Sequence, residues 1–498
     1  MGNASHSVLP RALSPKAQAI YDAVMEVTRK APHTLTFPAT DIATAGYVTR
    51  YQLGYAHDAS LCRHMFGRLI RNADEEVVSL TYLFDRHSEC AREIAQAIRD
   101  LNDRALQAGR HVRVFLMMDA YGLLMLESTR SAEQAVPGGA AQKAASTSVP
   151  MLLDVLNLSD GVHELPPEAI GLPAARDVPA LDLRVRTFHY WTVGTLHSKA
   201  LTVDGSRTVI GSQNMDSEIG SELLVELEGP VARPIRAEFY HIWRSGRPAN
   251  DGEDEYGMQP QPTSPSTVAR MNDTKNLSTN PNAVQVRMPP LRRHPAPRII
   301  ADMLPMLVLS HHWSSSIKDA HMDGTQNAAW LAALQLAKRK VYIQTPNFNA
   351  VAAREALVST VKRGVKVDLV TSYHFEDIGE ALYPENQADG TNHAAYRRLY
   401  KEMGQDIDRA GNGTFRGCWY IGRRQATGTI PNKWEWTHIK LMSIDDELAI
   451  FGSGNMDAQS WFHSQEINVL VDDATFAERI TAELRDQQHS FSRCHANH

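Results

Sequence analysis

Apolar and polar positions along this chain run through the same order twice. A strand-like stretch, Val77-Val78-Ser79-Leu80-Thr81-Tyr82, precedes Ala91 to Leu106, where Ile94, Ala97, Ile98 and Leu101 recur at intervals of three and four and so paint one helical face. The succession returns as Val341-Tyr342-Ile343-Gln344-Thr345-Pro346, then Arg354 to Lys362 with Leu357, Val358 and Val361 on one face. Gly109 and Gly364 stand where helix C-caps are wanted. Alternating strands follow both, Val112 to Leu116 and Val365 to Val370. Strand, helix, strand in each half predicts an α/β fold made of two similar halves.

What lies around the halves differs in texture. Ser14 and Pro15 suit a helix cap and first helical position and predict a helix to Lys30. Residues 246–297 begin with the acidic run 251–255 and continue rich in Pro, Gln, Ser, Thr and Asn, a composition that buries too little apolar surface to offset its ordering entropy. Ser131 to Val149, rich in Ala, Gly and Ser, reads as a loop out of the first half. The expected organisation is an N-terminal helical extension at 1–58, a first half at 59–245, a linker or long surface loop at 246–297, and a second half at 298–490.

Composition narrows the class. With 498 residues, 43 % hydrophobic and 22 % charged, the bulk of the chain must fold. A net charge of −6 excludes a basic surface over the whole molecule and makes nucleic acid an unlikely partner, although a local basic groove stays open. Cys62, Cys90, Cys418 and Cys494 form no CxxC pair, which gives no sign of a disulfide framework or zinc site and suits a reducing compartment. The start, Met-Gly-Asn-Ala-Ser-His, lacks a signal peptide's basic and apolar segments, and the apolar runs at 114–126 and 299–309 are too short to span a bilayer. A cytoplasmic or peripheral membrane location is expected.

The chemistry sits in a string that also occurs twice. Leu196-His197-Ser198-Lys199 leads to Asp204 and then Gly211-Ser212-Gln213-Asn214; Thr437-His438-Ile439-Lys440 leads to Asp445 and then Gly452-Ser453-Gly454-Asn455. Lys, Asp, Gly-Ser and Asn keep the same offsets from each His, a coincidence on the order of 10⁻⁵ for even one chance occurrence. On a strand, positions i and i+2 share a face, so each His emerges beside its Lys. A buried lysine calls for an anion, and Ser212, Asn214, Ser453 and Asn455 add hydroxyl and amide donors for phosphate. Asp204 and Asp445, part of the same candidate catalytic set, also suit tight turns between strands, where they would hold the loop or a neighbouring charge. Phe188, Tyr190, Trp191, Trp434, Trp436, Trp461 and Phe462 crowd the two strings, either as a substrate wall or as half-buried strand residues.

The paired strings resemble the phospholipase D superfamily, in its two-motif phospholipase D and cardiolipin synthase-like form, over about residues 60–490. The resemblance implies two α/β/α halves with mixed sheets related by a pseudo-twofold axis, both motifs meeting at one site. It implies a phosphohistidine intermediate, formed on the first-half His197 with His438 handling the proton. It further implies phosphodiester cleavage or exchange without a metal or other cofactor, and a glutamate behind each Gly-Ser string that orients a histidine. Glu222 and Glu466 fill that place at +25 and +28 from the respective histidines. A phospholipid at a membrane surface is the expected substrate and water or an alcohol the acceptor, with hydrolysis to phosphatidic acid placed ahead of phosphatidyl transfer and of nuclease action. A monomer carrying an internal pseudo-dimer is the expected assembly.

Overall fold

The computed structural model describes residues 9–121, 160–190, 193–216, 220–245, 288, 291, 302–317, 322–373, 375, 383–384, 386–404, 415–426, 435–492 and 494. The loop expected at 131–149 and almost all of the linker expected at 246–297 lie outside these residues, as do Trp191 and Trp434.

In the first half, β1 (Ala43–Tyr55), β2 (Glu76–Thr81), β3 (Val112–Asp119), β4 (Asp160–Leu165), β5 (Leu181–Tyr190), β6 (Thr195–Leu196), β7 (Ala200–Val203), β8 (Arg207–Gly211) and β9 (Gly220–Glu228) follow in chain order. In the second, β10 (Leu304–His311), β11 (Lys340–Gln344), β12 (Lys366–Thr371), β13 (Phe415–Trp419), β14 (Trp436–Thr437), β15 (Leu441–Ile444), β16 (Leu448–Gly452) and β17 (Ser464–Val471) repeat the scheme. The first sheet runs β5-β3-β2-β7-β8-β9-β1, with β4 added outside β5. The second runs β13-β12-β11-β15-β16-β17-β10. In both, three neighbouring strands are parallel and the rest antiparallel, so each sheet is mixed.

Helices α1 (Pro15–Lys30), α2 (Glu89–Gln107), α3 (Ala232–Trp243), α4 (Thr325–Leu336), α5 (Val351–Lys362), α6 (Asn392–Met403) and α7 (Ala474–Asp486) cover the sheets. Ile94, Ile98 and Leu101 of α2 pack with Val114, Leu116 and Leu183 on one face of the first sheet, while Phe239, Tyr240 and Trp243 of α3 pack with Val78, Leu80 and Phe115 on the other. The helix periodicity read from sequence thus reports real faces. Gly109 and Gly364 take φ of 60° and 85° just beyond α2 and α5, a conformation that costs glycine little.

The N-terminal segment contains the helix expected from Ser14, whose hydroxyl accepts from the Ala17 amide. It also contains β1, a thirteen-residue strand that pairs with β9 of the first half and β10 of the second. The first sheet therefore draws its outer strand from before residue 59. Along β1 burial alternates poorly, since the strand passes between two sheets instead of lying over one core.

Cysteine spacing carries no sign of a disulfide, yet Cys418 and Cys494 form one. They stand 76 residues apart and meet because the C-terminal segment folds back over the end of β13, where the Ile421 amide donates to Ser490 Oγ at 2.9 Å. Cys62 and Cys90 are free and buried.

Candidate active site

The two histidine strands do not simply extend their own sheets. β6 pairs in parallel with the start of β17, and β14 with the start of β9, so each motif crosses to the other half. The His197 amide donates to Gln465 O at 3.0 Å and the His438 amide to Ser221 O at 2.9 Å. This crossing sets the side chains: His197 Nδ1 lies 2.7 Å from Glu466 Oε1, and His438 Nδ1 lies 2.9 Å from Glu222 Oε1. Each half supplies the carboxylate for the other half's imidazole.

Two further contacts aim these strands. Asp119, at the end of β3, accepts the Leu196 amide at 2.8 Å, and Ser372, in the corresponding place after β12, accepts the Thr437 amide at 2.9 Å. Lys199 and Lys440 emerge on the histidine face as alternation requires and are almost wholly buried. Their ammonium groups donate to the carbonyls of His197 and His438 at 2.8 and 2.6 Å.

The Gly-Ser strings brace the carboxylates. Ser212 Oγ donates to Glu222 Oε2 and accepts from the Leu223 amide at 2.9 Å. Ser453 Oγ donates to Glu466 Oε2 at 2.5 Å and accepts from the Ile467 amide at 3.0 Å. Glu466 also accepts from Ser460 Oγ at 2.7 Å, out of the wide turn Gln459–His463. The first-half loop between serine and glutamate is three residues shorter. Asn214 Oδ1 stands 3.5 Å from the Leu83 amide, and Asn455 Nδ2 donates to Asp457 at 2.7 Å, while its buried Oδ1 meets no protein donor.

Asp204 and Asp445 stand at the far end of the same hairpins, at φ of 50° and 55°, a left-handed conformation that aspartate tolerates in such turns. Asp204 accepts the amides of Asp74, Glu75 and Glu76. Asp445 accepts those of Lys338, Arg339 and Lys340 and pairs with Lys16 of α1. Burial works against its charge, but Lys16 and the three amides hold its carboxyl below the usual range. Asp445→Asn removes the buried ion pair and weakens three amide contacts, so unfolding in urea is expected to show a loss of about 3 kcal/mol.

Aromatic side chains divide into two groups. Phe188, Tyr190, Trp461 and Phe462 are buried, with Tyr190 stacked on Trp313 at 3.9 Å. Two others reach the histidines: Tyr82 lies 5.3 Å from His197, and Phe375 lies 6.0 Å from His438 and 6.0 Å from Trp436, measured between ring centres. Sequence offered a hint for Tyr82, which directly follows a strand, and none for Phe375, Ser372 or Ser460.

Electrostatically the two histidine–glutamate pairs differ. Burial drives His197 down to about 3, with Glu466 opposing and Lys199 adding, and lowers His438 well below its ordinary value with help from Lys440 and Lys199. Both imidazoles are therefore neutral at neutral pH. Burial opposes the charge on Glu466, but His197, Lys199 and Ser453 hold its carboxyl at about 2. Glu222 is pushed by burial up to about 7 despite Lys440, Ser212 and Lys199. Lys440 falls to about 7, again through burial, with Lys199 beside it. Among the described residues no group of three or more His, Cys, Asp or Glu is placed to hold a metal ion, and no helix is long and apolar enough to cross a membrane.

An enzyme assembled from two similar halves around a shared site is the class that this fold and geometry define. Residues 330–487 match the family model described as a cardiolipin synthase, PLD-like domain. Over residues 330–487 the chain is similar to the phospholipase D superfamily. One stretch of 49 residues is 39 % identical to the minor cardiolipin synthase ClsB of Bacillus subtilis (strain 168), covering 10 % of this chain and 12 % of that protein. The fold is similar to phosphatidylserine synthase of Haemophilus influenzae Rd KW20, at 13 % identity over 93 % of this chain and 91 % of that one, with a TM-score of 0.48. Nuc of Salmonella typhimurium, a phospholipase D family member, shares 18 % identity over 39 % of this chain and 98 % of its own, with a TM-score of 0.25.

Proposed function

We propose that the protein exchanges phosphodiester bonds of phospholipids, carrying the phosphatidyl group on His197 and passing it to water or to an alcohol. The unlike ionisation of the two histidine–glutamate pairs carries this reading. Glu466 is an anion and accepts a hydrogen bond from the Nδ1–H of His197, leaving Nε2 with a free lone pair to attack phosphorus. Glu222 favours its protonated form near neutral pH and lies against His438. That pair stores the proton which a bound anion draws onto the imidazole, and from there it goes to the leaving alcohol as the P–O bond breaks. In the second half-reaction His438 takes a proton from the acceptor hydroxyl, whose oxygen attacks phosphorus while the P–N bond to His197 breaks. Lys199, Lys440, Asn214 and Asn455 hold the non-bridging oxygens. Ser212 and Ser453 serve the glutamates in this scheme, and Asp204 and Asp445 brace the hairpins.

Transfer to an alcohol and hydrolysis fit the same geometry. The cardiolipin synthase description of the matched model favours transfer as the second reading. Vesicles of phosphatidylglycerol, or of phosphatidylcholine with ethanol, separate the outcomes by product. Phosphatidic acid marks hydrolysis, and cardiolipin or phosphatidylethanol marks transfer. No lipid product together with DNA cleavage would replace the proposal by a nuclease.

A further inference from the structure

Behind the catalytic face lies a buried acid that neither motif contains. Glu238, on α3, is fully buried, and the three side chains within hydrogen-bonding reach of its oxygens are neutral. Gln465 Nε2 donates to its Oε1 at 2.6 Å, Ser198 Oγ approaches the same oxygen at 3.5 Å, and Thr36 Oγ1 meets Oε2. Ser198 stands between His197 and Lys199, and Gln465 directly precedes Glu466. Gln465 is also the residue whose carbonyl accepts the His197 amide and, at 3.3 Å, the Ser198 hydroxyl, while its Oε1 accepts the Trp313 amide at 3.3 Å. The second half has nothing of this kind in the same positions, because Ile439 replaces Ser198 and Ser221 replaces Gln465.

We propose that Glu238 is a positioning residue for the first histidine, a neutral carboxyl group that locks the His197 strand to the Glu466 strand from behind. The inference rests on the reading of His197 as nucleophile. A carboxylate buried without a cation is costly, whereas a carboxylic acid here is satisfied: its O–H donates to Thr36 Oγ1 and its carbonyl oxygen accepts from Gln465 and Ser198. Burial pushes Glu238 up to about 7, with the contacts from Thr36, Gln465 and Ser198 opposing and the charge of Glu466 adding. The lock makes the His197 to Glu466 distance a property of three segments at once: the N-terminal stretch through Thr36, the first half through α3 and Ser198, and the second half through Gln465.

Full-length wild type, Glu238→Ala, Glu238→Gln and Gln465→Ser would be assayed with phosphatidylcholine vesicles and ethanol, alongside thermal unfolding. Glu238→Ala is expected to lower kcat on the order of tenfold to a hundredfold through misplacement of the nucleophile, with KM within about twofold. Glu238→Gln, whose amide donates to Thr36 and whose oxygen accepts from Gln465, recovers most of that loss. If Glu238→Ala does not fold, Gln465→Ser, which puts the second half's residue into the first half's lock, is expected to show the same kcat loss at unchanged KM. Wild-type kcat in a folded Glu238→Ala or in Gln465→Ser overturns the proposal, as does a Glu238→Gln no better than Glu238→Ala. A wild type that forms neither lipid product nor phosphohistidine defeats the functional reading instead, so the two failures are distinguishable.

Discussion

His197→Ala abolishes turnover by about four orders of magnitude or more, and His438→Ala, given a substrate whose leaving group needs no proton, stops after a single turnover. The two outcomes differ because the proposed mechanism gives the histidines different work on one phosphorus. A p-nitrophenyl phosphodiester departs as phenolate without help, so His438→Ala still lets His197 Nε2 displace it. The second step lacks its base, and the covalent intermediate accumulates. Stopped-flow absorbance should therefore record a burst of one p-nitrophenolate per protein followed by a slow steady rate. Peptide mapping of the acid-quenched protein at alkaline pH should place the added mass on His197. Wild type on the same substrate shows no such stall, and His197→Ala shows neither burst nor adduct. An adduct on His438 in His197→Ala would reverse the assignment, and full activity in both variants would remove the histidines from the chemistry altogether.

The features that make this experiment specific were legible in the chain to different degrees. Local regularities were the easiest. The α2 and α5 faces, their terminal glycines and the hairpins at Asp204 and Asp445 depend on residues a few positions apart, where periodicity and turn chemistry act directly. The motif strings were legible because duplication supplies an internal control within one sequence. What spacing could not reveal was the crossing. Offsets of +25 and +28 place a glutamate after each histidine, yet the imidazole each one meets belongs to the other string, since β6 adds to β17 and β14 to β9. The shortened first-half loop becomes intelligible only then: Glu222 keeps its strand position relative to Ser212, and the deletion falls in the loop that elsewhere supplies Ser460. Asp119 interrupts an apolar run and reads as a blemish until its carboxylate is seen holding Leu196. Glu238 and the Cys418–Cys494 bond depend on partners more than 70 residues away on at least one side, for which neither composition nor period carries a signal.

The rate profile against pH should lack the feature by which histidine enzymes are usually recognised. An exposed histidine nucleophile loses activity as it protonates below about 6.5. Here burial and the two lysines keep His197 neutral down to about 3, so kcat/KM is expected to stay level from about pH 5 to neutrality. The loss comes on the other side. Lys440, with its value near 7, surrenders the charge that greets the phosphodiester as pH rises, and Glu222 gives up the proton stored for the leaving group over the same window. Both groups must hold a proton for the site to work, and they interact, so they titrate as a unit. Plotted logarithmically, kcat/KM should bend down near pH 7 and steepen toward two decades per unit. A bound phosphodiester supplies Lys440 with the counter-charge it lacks, so the limb in kcat should begin at higher pH than the limb in kcat/KM. Lys440→Arg separates the contributions. Guanidinium keeps its charge throughout, and although its planar fork fits a lysine's place poorly and lowers the overall rate, the remaining fall belongs to Glu222 and its slope drops to about one. A wild-type profile that declines below pH 6.5 and is flat from 7 to 9 would place the working proton on an ordinary histidine and contradict the division of labour between Glu466 and Glu222.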